Sequence, residues 1–322
     1  MKKPVIILGG LSVLLVAAIG ALSHQPADAA TSPARAPVAL TSGASTWWHP
    51  TSSGPNNGPE FQWELGHPLN LNRLADMGTG RLNAAGQAST KPTVYDIDGI
   101  ENTASTVTAL HSRGAKVICY VEIGSAGDYY AAADEGILVR YYAQLKAAGD
   151  LGTKMAGYPE YYLNIKAPST VSIIESMIRQ QCASKGFDAV EPDIDDSYTD
   201  KTGFNITEAQ NVVYNQTLAA YVHSLGLAWG QKNGDDDPAF SKALEPTTDF
   251  LLTEECSFYE TCGIVTPPYV QAGKLVLDAE YTNDWGNKIS TDLGKFCPAD
   301  ISGRISGTLF TADLAGQRNP CQ

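Results

Sequence analysis

The sequence lacks the short motifs by which proteins commonly hold zinc, nucleotides and nucleic acid. No CxxC or CxxxC pattern occurs, so the usual ligand spacing of a zinc site is missing. No GxGxxG or P-loop pattern follows a strand-like run, which argues against a nucleotide cofactor. The chain also has no basic stretch that would neutralise phosphates. We therefore expect no metal, no cofactor and no nucleic-acid partner.

Serine-hydrolase and calcium-loop patterns are missing as well. The run GSAG at residues 124–127 differs from the GxSxG nucleophile elbow, and the histidines are scattered along the chain. The acidic runs at 193–196 and 235–237 lack the loop glycine and the final glutamate of a calcium-binding loop. The second run fits the start of a helix near Pro238, where the helix dipole favours carboxylates.

Negative charge is what the chain has in excess. Its formal net charge is -13 at pH 7 and its pI is about 4.7. One interpretation is solubility in an acidic or extracellular setting. The other is attraction of a cationic polymer, because carboxylates gathered at a cleft would concentrate amino sugars. On the second interpretation the partner is a cationic or partially deacetylated polysaccharide, and we expect the protein to be a monomer.

The N-terminal region has the composition of a targeting segment. Two lysines precede an uncharged apolar stretch over residues 5–22 and the small-residue run ADA at 27–29, an order typical of a secretory signal. The apolar stretch is also near the lower length limit for a membrane span. We expect residues 1–30 to be a signal peptide or an uncleaved anchor, and 31–46 to be a Pro/Ala/Ser-rich linker. Residues 47–322 then form one folded domain, secreted or held at the cell surface.

Six cysteines and two sequons agree with an extracellular chain. The predicted disulfides join Cys256 with Cys262 and Cys297 with Cys321, whereas the spacing leaves open whether Cys119 and Cys182 pair. Asn205 and Asn215 are predicted glycosylation sites if the source organism modifies such sequons.

Apolar runs of strand type alternate with helical patterns along the domain. The predicted strands are 61–65, 93–97, 116–123, 189–194, 227–231, 250–254, 274–280 and 306–311, and the predicted helices are 103–112, 169–184, 207–224, 238–244 and a stretch near 289. Glycines just past several helix ends fit C-terminal caps. Eight strands with intervening helices predict a (β/α)8 TIM barrel.

Two carboxylate clusters end separate strand-like runs. The first is FDAVEPDIDD, with Glu191, Asp193, Asp195 and Asp196, and the second is DFLLTEEC, with Glu254 followed by another acid. If both strands belong to one parallel barrel, these acids meet at its mouth, where such enzymes place their chemistry. Paired carboxylates there suit glycoside hydrolysis, in which one acid donates a proton and the other attacks the sugar or activates water. We expect Asp195 or Asp196 to be an ion-pair or helix-capping residue.

The ordered motifs FQWEL, VYDID, KVICYVEIG, FDAVEPDIDD, GLAWGQKN, FLLTEEC and LVLDAEY resemble glycoside hydrolase family 114, the endo-α-1,4-polygalactosaminidases. The resemblance covers about 47–281. It implies a barrel hydrolase that acts on α-1,4-linked galactosamine, with Asp193 and Glu254 catalytic. We assign the nucleophile to Asp193 and the acid/base to Glu254, in a retaining mechanism. The family motif usually reads EPDNxD, whereas this chain has Ile194, and Thr253 stands where Asn is common.

Other polar or aromatic residues near strand ends are candidates for substrate binding. They are Asp96, Asp98, Tyr120, Glu191, Asp196, Tyr198, Lys232, Asn233, Glu280 and Tyr281. Two alternatives remain: a barrel glycosidase for another amino-sugar polymer such as chitosan, and a non-catalytic carbohydrate-binding barrel.

Overall fold

The computed structural model describes residues 47–52, 58–78, 91–127, 137–234, 237–285 and 289–321. The predicted signal or anchor segment and the predicted linker lie outside these residues. Across the described ranges, no helix combines the length and the apolar character that a membrane crossing requires.

Twelve strands are described, and they form two sheets. In chain order they are β1 Phe61–Glu64, β2 Val94–Asp98, β3 Lys116–Glu122, β4 Ser125–Gly127, β5 Leu151–Lys154, β6 Glu160–Leu163, β7 Ala189–Asp193, β8 Ala228–Lys232, β9 Phe250–Glu254, β10 Leu275–Tyr281, β11 Ser306–Phe310 and β12 Arg318–Pro320. The larger sheet has the order β1-β2-β3-β7-β8-β9-β10-β11-β12, and the smaller one is the antiparallel sheet β4-β6-β5.

Eight strands of the larger sheet run parallel and make a nearly closed barrel. Every neighbouring pair from β1 to β11 is parallel, and β12 adds antiparallel to β11. At the seam, the Ser306 hydroxyl donates to the Pro59 carbonyl at 2.8 Å, and the Gly66 N–H donates to the Leu314 carbonyl at 3.1 Å. All eight predicted strands are confirmed, and so is the predicted TIM barrel. The smaller sheet was not predicted.

Helices connect the barrel strands, as parallel pairing requires. They are α1 Ala104–His111, α2 Ile137–Ala148, α3 Pro168–Gln181, α4 Glu208–Ser224, α5 Pro238–Leu244, α6 Cys262–Val265, α7 Pro267–Ala272, α8 Thr282–Trp285 and α9 Ile289–Gly303. Thr207 begins α4 in a capping box with Gln210, and the Asp237 side chain accepts from two N–H groups at the start of α5. Asp237, the last residue of the acidic run, therefore caps a helix that begins at Pro238, as predicted, whereas the two acids before it lie outside the described residues.

The apolar core has an inner and an outer layer. Inside the barrel, large rings such as Phe61, Phe250 and Phe310 pack against the small side chains Ala189 and Ala228. The outer layer lies between the strands and α1, α3 and α4. Both layers follow from the alternation of strand side chains between the two faces of the sheet.

All six cysteines are paired. The predicted disulfides Cys256–Cys262 and Cys297–Cys321 are confirmed, and a third bond joins Cys119 of β3 to Cys182 at the end of α3. This third bond ties a barrel strand to the outer helix layer.

The prediction that Asn215 is a glycosylation site is wrong for the folded chain. Asn215 lies on the inner face of α4 with 1% of its surface exposed, and its amide donates to the carbonyls of Asp195 and Asn211. A glycan could not reach this nitrogen without unfolding of the helix. Asn205 is exposed ahead of the same helix, so its modification stays a prediction.

Candidate active site

The alternation of side chains explains which polar residues meet at the barrel mouth. In each barrel strand, the residues two or four places beyond an inward apolar side chain also point inward. Near the carboxyl ends of the strands, this inner face carries Trp63, Asp96, Tyr120, Glu191, Asp193, Lys232, Glu254 and Tyr281. The parallel ladder places Asp96 two rungs from the end of β2, and Asp193 and Glu254 at the last rung of β7 and β9. One polar layer therefore covers the apolar interior of the barrel.

Lys232 is the centre of this layer. Its side chain is 2% exposed, and its ammonium lies 3.2 Å from Glu191, 3.1 Å from Asp193 and 3.0 Å from Glu254. The same nitrogen lies 5.0 Å from the centre of the Trp63 ring, within the range of a cation–π contact. Burial lowers the pKa of Lys232, but the charges of Asp193, Glu254 and Glu191 outweigh it and raise that pKa well above its usual value. The lysine is therefore a permanent cation.

The two carboxylates predicted to be catalytic each accept from further donors. The Tyr120 hydroxyl donates to Asp193 Oδ2 at 2.7 Å, and the Tyr281 hydroxyl donates to Glu254 Oε1 at 2.5 Å. Asn233 holds the Glu254 backbone, because its Oδ1 accepts from the Glu254 N–H at 2.8 Å. Burial and then the nearby Glu254 charge raise the pKa of Tyr281 well above its usual value, so its hydroxyl keeps its proton and donates. Donors of this kind favour the ionised carboxylate.

Two fully buried members of this layer, Glu191 and Asp96, form an acid pair. Glu191 accepts from the Trp63 indole N–H at 3.2 Å and pairs with Lys232. Asp96 lies against Glu191 and has no exposed surface. Burial and then the Glu191 charge raise the pKa of Asp96 well above its usual value, so Asp96 holds the proton of this pair. The predicted contact of Asp96 with substrate would need the layer above it to open.

The chain leaves three strands of the site through left-handed residues. Ile194 follows Asp193 with φ 58°, Asn233 follows Lys232 with φ 53°, and Glu255 follows Glu254 with φ 58°. Non-glycine residues seldom adopt this conformation, and such strain concentrates at functional sites. Each turn ends the alternation directly after a site residue. It explains why Asp195 leaves the inner face and accepts from the Lys232 N–H at 3.1 Å instead.

Several candidates for substrate binding lie outside this layer. Asp98 accepts from the N–H groups of Ile100 and Glu101, at 2.7 and 2.9 Å, and so shapes the turn after β2. The Tyr198 hydroxyl donates to Asp237 at 2.9 Å. The carbonyl of Asp196 accepts from the backbone N–H of a short helical turn. Substrate contact by these three residues stays a prediction.

Glu280 points away from the barrel interior. It has no exposed surface, and its Oε1 accepts from the N–H groups of Ser257 and Phe258 at 2.9 and 3.3 Å. Its substrate contact stays a prediction, but its observed contacts hold the loop that follows Glu254. The sequence contains a signal for this orientation. Neighbouring residues of a strand point to opposite faces, and Glu280 lies between the inward-facing Ala279 and Tyr281.

The barrel mouth leaves no space for a metal ion beside the Lys232 ammonium. The ammonium already lies among three carboxylates, where a divalent ion would have to sit. Elsewhere in the described chain, Cys256, Cys262 and Asp278 come within ligand distance of one another, but both sulfurs belong to a disulfide. A second cluster, Glu64 with His67 and Asp76, lies at the end of β1.

Comparison with known proteins agrees with this geometry. The model of glycoside-hydrolase family GH114 matches residues 38–322. The chain belongs to this family. The GH114 chain is therefore a glycoside hydrolase, and the resemblance seen in its motifs is confirmed.

Two solved structures share the fold of this chain at low sequence identity. The GH114 chain is similar to Ega3 of Aspergillus fumigatus, solved in complex with galactosamine, with TM-score 0.68 and 24% identity over 85% of this chain and 97% of that one. It is also similar to the glycoside hydrolase domain of PelA from Pseudomonas aeruginosa, with TM-score 0.54 and 14% identity over 80% and 97%. No curated protein matches the chain. At these identities the likeness shows the barrel fold.

Proposed function

We propose that the protein is an extracellular, endo-acting hydrolase that cleaves α-1,4-galactosaminidic linkages in galactosamine-containing polysaccharide of the galactosaminogalactan type. The observation that carries this proposal is the meeting of Asp193 and Glu254 across one buried ammonium at the barrel mouth. Membership of GH114 supports glycoside hydrolysis. The structure of Ega3 with galactosamine, a protein of the same fold, supports an amino sugar as the substrate unit.

A retaining mechanism fits the spacing of the two carboxylates. Asp193 Oδ1 and Glu254 Oε2 lie 3.1 and 3.0 Å from the same Lys232 nitrogen, so these oxygens are at most about 6 Å apart. Retaining enzymes hold their carboxyl groups about 5–5.5 Å apart, and inverting enzymes about 6.5–9.5 Å. This upper limit on one pair of oxygens is compatible with the retaining arrangement, and the anomer formed first in the digestion below decides between the two mechanisms.

Asp193 is the nucleophile in this mechanism. Tyr120 and Lys232 donate to its two oxygens and keep it ionised. Its carboxylate oxygen bonds to the anomeric carbon while the glycosidic C–O bond breaks, and Glu254 gives its proton to the leaving oxygen. In the second step Glu254 takes a proton from water, the water oxygen bonds to the anomeric carbon, and Asp193 leaves as a carboxylate.

The charge balance of the cluster supports a proton on Glu254 in the first step. One ammonium faces the carboxylates of Glu191, Asp193 and Glu254, so full ionisation leaves an excess of negative charge at a buried site. A single proton lowers that repulsion. We assign this proton to Glu254, because the acid/base of the first step must carry one; the Tyr281 hydroxyl, which can also accept, would then receive a hydrogen bond from Glu254 Oε1. The remaining negative charge favours a substrate that carries ammonium groups.

Substrate digestion tests this function directly. Purified protein is incubated with galactosaminogalactan and, separately, with chitosan; new reducing ends are counted, and NMR follows the anomer formed first. We expect release of α-anomeric oligosaccharides from galactosaminogalactan and little from chitosan. Equal release from both polymers would contradict the linkage, a β-anomer formed first would contradict retention, and no release from any polymer would favour a binding protein.

Two substitutions test the catalytic pair. Asp193→Asn and Glu254→Gln should each lower turnover by about 10²–10⁴-fold, because each removes an ionisable group that the chemistry needs. Glu255→Gln is the matched control, since it makes the same change one residue further along the chain, at a side chain that contacts Asp284. A loss below tenfold at Asp193 or Glu254, in protein with unchanged circular dichroism, would remove that residue from the mechanism.

A further inference from the structure

We propose that Glu64, His67 and Asp76 form a binding site for one divalent transition-metal cation, of which Zn²⁺ is the probe used below. Their ligand atoms all lie within 4.8 Å of one another. The His67 Nδ1 atom is 3.6 Å from Glu64 Oε1 and 3.8 Å from Asp76 Oδ2. The cluster lies at the carboxyl end of β1, in the loop that follows it, and is separate from the lysine-centred layer.

The burial of the Glu64 carboxylate is the observation that points to a cation. Its side chain has no exposed surface, and within the described part of the chain neither carboxylate oxygen has a hydrogen-bond partner. Burying a carboxylate that no hydrogen bond satisfies is costly: burial raises the pKa of Glu64 to about 9, and a bound cation would offset that cost. The His67 ring nitrogen lies 3.6 Å from Glu64 Oε1, close enough to share a bound ion with it.

The backbone around the cluster is fixed before any ion binds. The Gln62 amide donates to the carbonyls of Ala75, Asp76 and Gly316, which holds the Asp76 segment against the end of β1. A side chain at Gly316 would come within 2.6 Å of Glu64 Oε2, so the absence of a Cβ there keeps the carboxylate in place. Glu64 is therefore positioned by β1, and Asp76 by a loop that hydrogen bonds from Gln62 hold against that strand.

The donor set matches a zinc-type ion. Zinc takes imidazole nitrogen and carboxylate oxygen about 2.0–2.2 Å away, which puts tetrahedral ligands about 3.3 Å from one another. The observed separations of 3.6 and 3.8 Å exceed this by a few tenths of an ångström. One imidazole with two carboxylates suits a transition metal better than calcium, which prefers oxygen ligands throughout. His67, with its side chain 33% exposed, gives the ion a way in from solvent.

Arg73 is the competitor for this site. Its guanidinium lies 2.5 Å from His67 Nε2 and 3.1 Å from Asp76 Oδ1. An arginine always donates, so in this contact Nε2 accepts and the ring proton sits on Nδ1, the atom that a metal would need. Metal binding therefore requires Arg73 to release the ring, which its 42% exposed side chain permits. Metal binding also costs the contact of His67 Nδ1 with the Pro68 carbonyl at 3.1 Å, so both exchanges set the affinity.

The test is calorimetric titration of tag-free, chelator-treated protein with ZnCl₂, followed by thermal unfolding with and without zinc. We expect one equivalent of Zn²⁺ to bind and to raise the melting temperature. Glu64→Gln and His67→Asn should each weaken binding at least tenfold, whereas Arg73→Met should strengthen it at least tenfold. His111→Asn is the matched control, because that histidine pairs with Asp188 at the opposite end of the barrel.

Each outcome decides the proposal. His67 is partly exposed, so His67→Asn should fold even if Glu64→Gln does not. Saturable binding that is lost in His67→Asn and retained in His111→Asn supports the site. Absence of one-equivalent binding in both wild type and Arg73→Met would overturn it, and so would equal affinity in wild type and His67→Asn. The cluster would then be an ion-pair network completed by Arg73.

Discussion

At the scale of single residues, Ile194 is the clearest departure from the family pattern. It is β-branched and adopts the left-handed conformation with φ 58°, directly after Asp193. Asparagine, which the family motif has at this place, tolerates that conformation far better. The chain therefore carries backbone strain beside its proposed nucleophile.

We predict that Ile194→Asn stabilises the protein by about 1 kcal/mol, because it relieves part of this left-handed strain. The gain is measured as a rise in melting temperature or denaturation midpoint. Ile194→Val is the control, since valine keeps the branch at Cβ and should bring no gain. Lower stability of Ile194→Asn would mean that packing of the isoleucine side chain beside Gly124, where an added Cβ would lie 2.9 Å from Ile194 Cγ2, outweighs the strain.

The sequence predicts the candidate carboxylates, but it does not predict how they are joined. Alternation along β7 gives Glu191 and Asp193 a common face from local pattern alone. Which residue of β8 reaches them depends on the register between strands about 40 residues apart in the chain. Lys232 therefore appears in the sequence as one polar strand-end residue among several, whereas the structure places it between both proposed catalytic acids, Asp193 and Glu254. The pairing of Asp96 with Glu191 has the same cause.

At the scale of elements, the strength of the local signal decides what can be predicted. The barrel strands are buried apolar runs bounded by turn residues, and α1, α4 and α5 begin at capping residues, so these elements follow from sequence. The smaller sheet has strands of only three or four residues, and α6 and α7 have four and six. Segments this short carry no measurable period. The same limit applies to β12.

The loop after β9 is the element most closely tied to the proposed acid. The Cys256–Cys262 disulfide closes it, and backbone N–H groups at its start donate to Asp278 and Glu280. The Ser257 hydroxyl adds a bond to Asp300 at 2.9 Å. The loop is thus held twice, by a covalent bond and by buried carboxylates.

We predict that the double variant Cys256→Ser, Cys262→Ser loses turnover more than stability. The chain-entropy model gives a loop this short about 2 kcal/mol, and the carboxylate bonds remain to hold its start. Melting temperature should fall by a few degrees, while turnover falls about tenfold because Glu254 leads directly into the loop. The matched control is Cys297→Ser, Cys321→Ser, in a disulfide outside the lysine-centred layer. A larger loss of turnover in that control would contradict the assignment.

At the scale of the whole molecule, the formal charge overstates the negative charge of the folded chain. Burial and then contact with Asp284 raise the pKa of Glu255 to about 9, and burial raises the pKa of Asp300 to about 8. Burial, followed by the Asp300 charge, also raises the pKa of Asp278 well above its usual value. These acids hold protons at neutral pH. Attraction of a cationic polymer must therefore come from the mouth and from exposed carboxylates.

We predict that the protein is more stable at pH 5 than at pH 8. Asp300 and Glu255 have higher pKa values in the folded chain than in the unfolded chain, where they stay near 3.8 and 4.5. Between the pKa values of the unfolded chain and those of the folded chain, the folded state binds more protons. Its stability therefore falls as pH rises from about 4, and the contribution of these two acids is lost once pH passes about 8–9. Melting temperature measured across this range at constant ionic strength should decline. Asp300→Asn, which keeps the neutral form of the side chain, should flatten the decline; a melting temperature that rises from pH 5 to pH 8 would show that these acids are ionised in the fold.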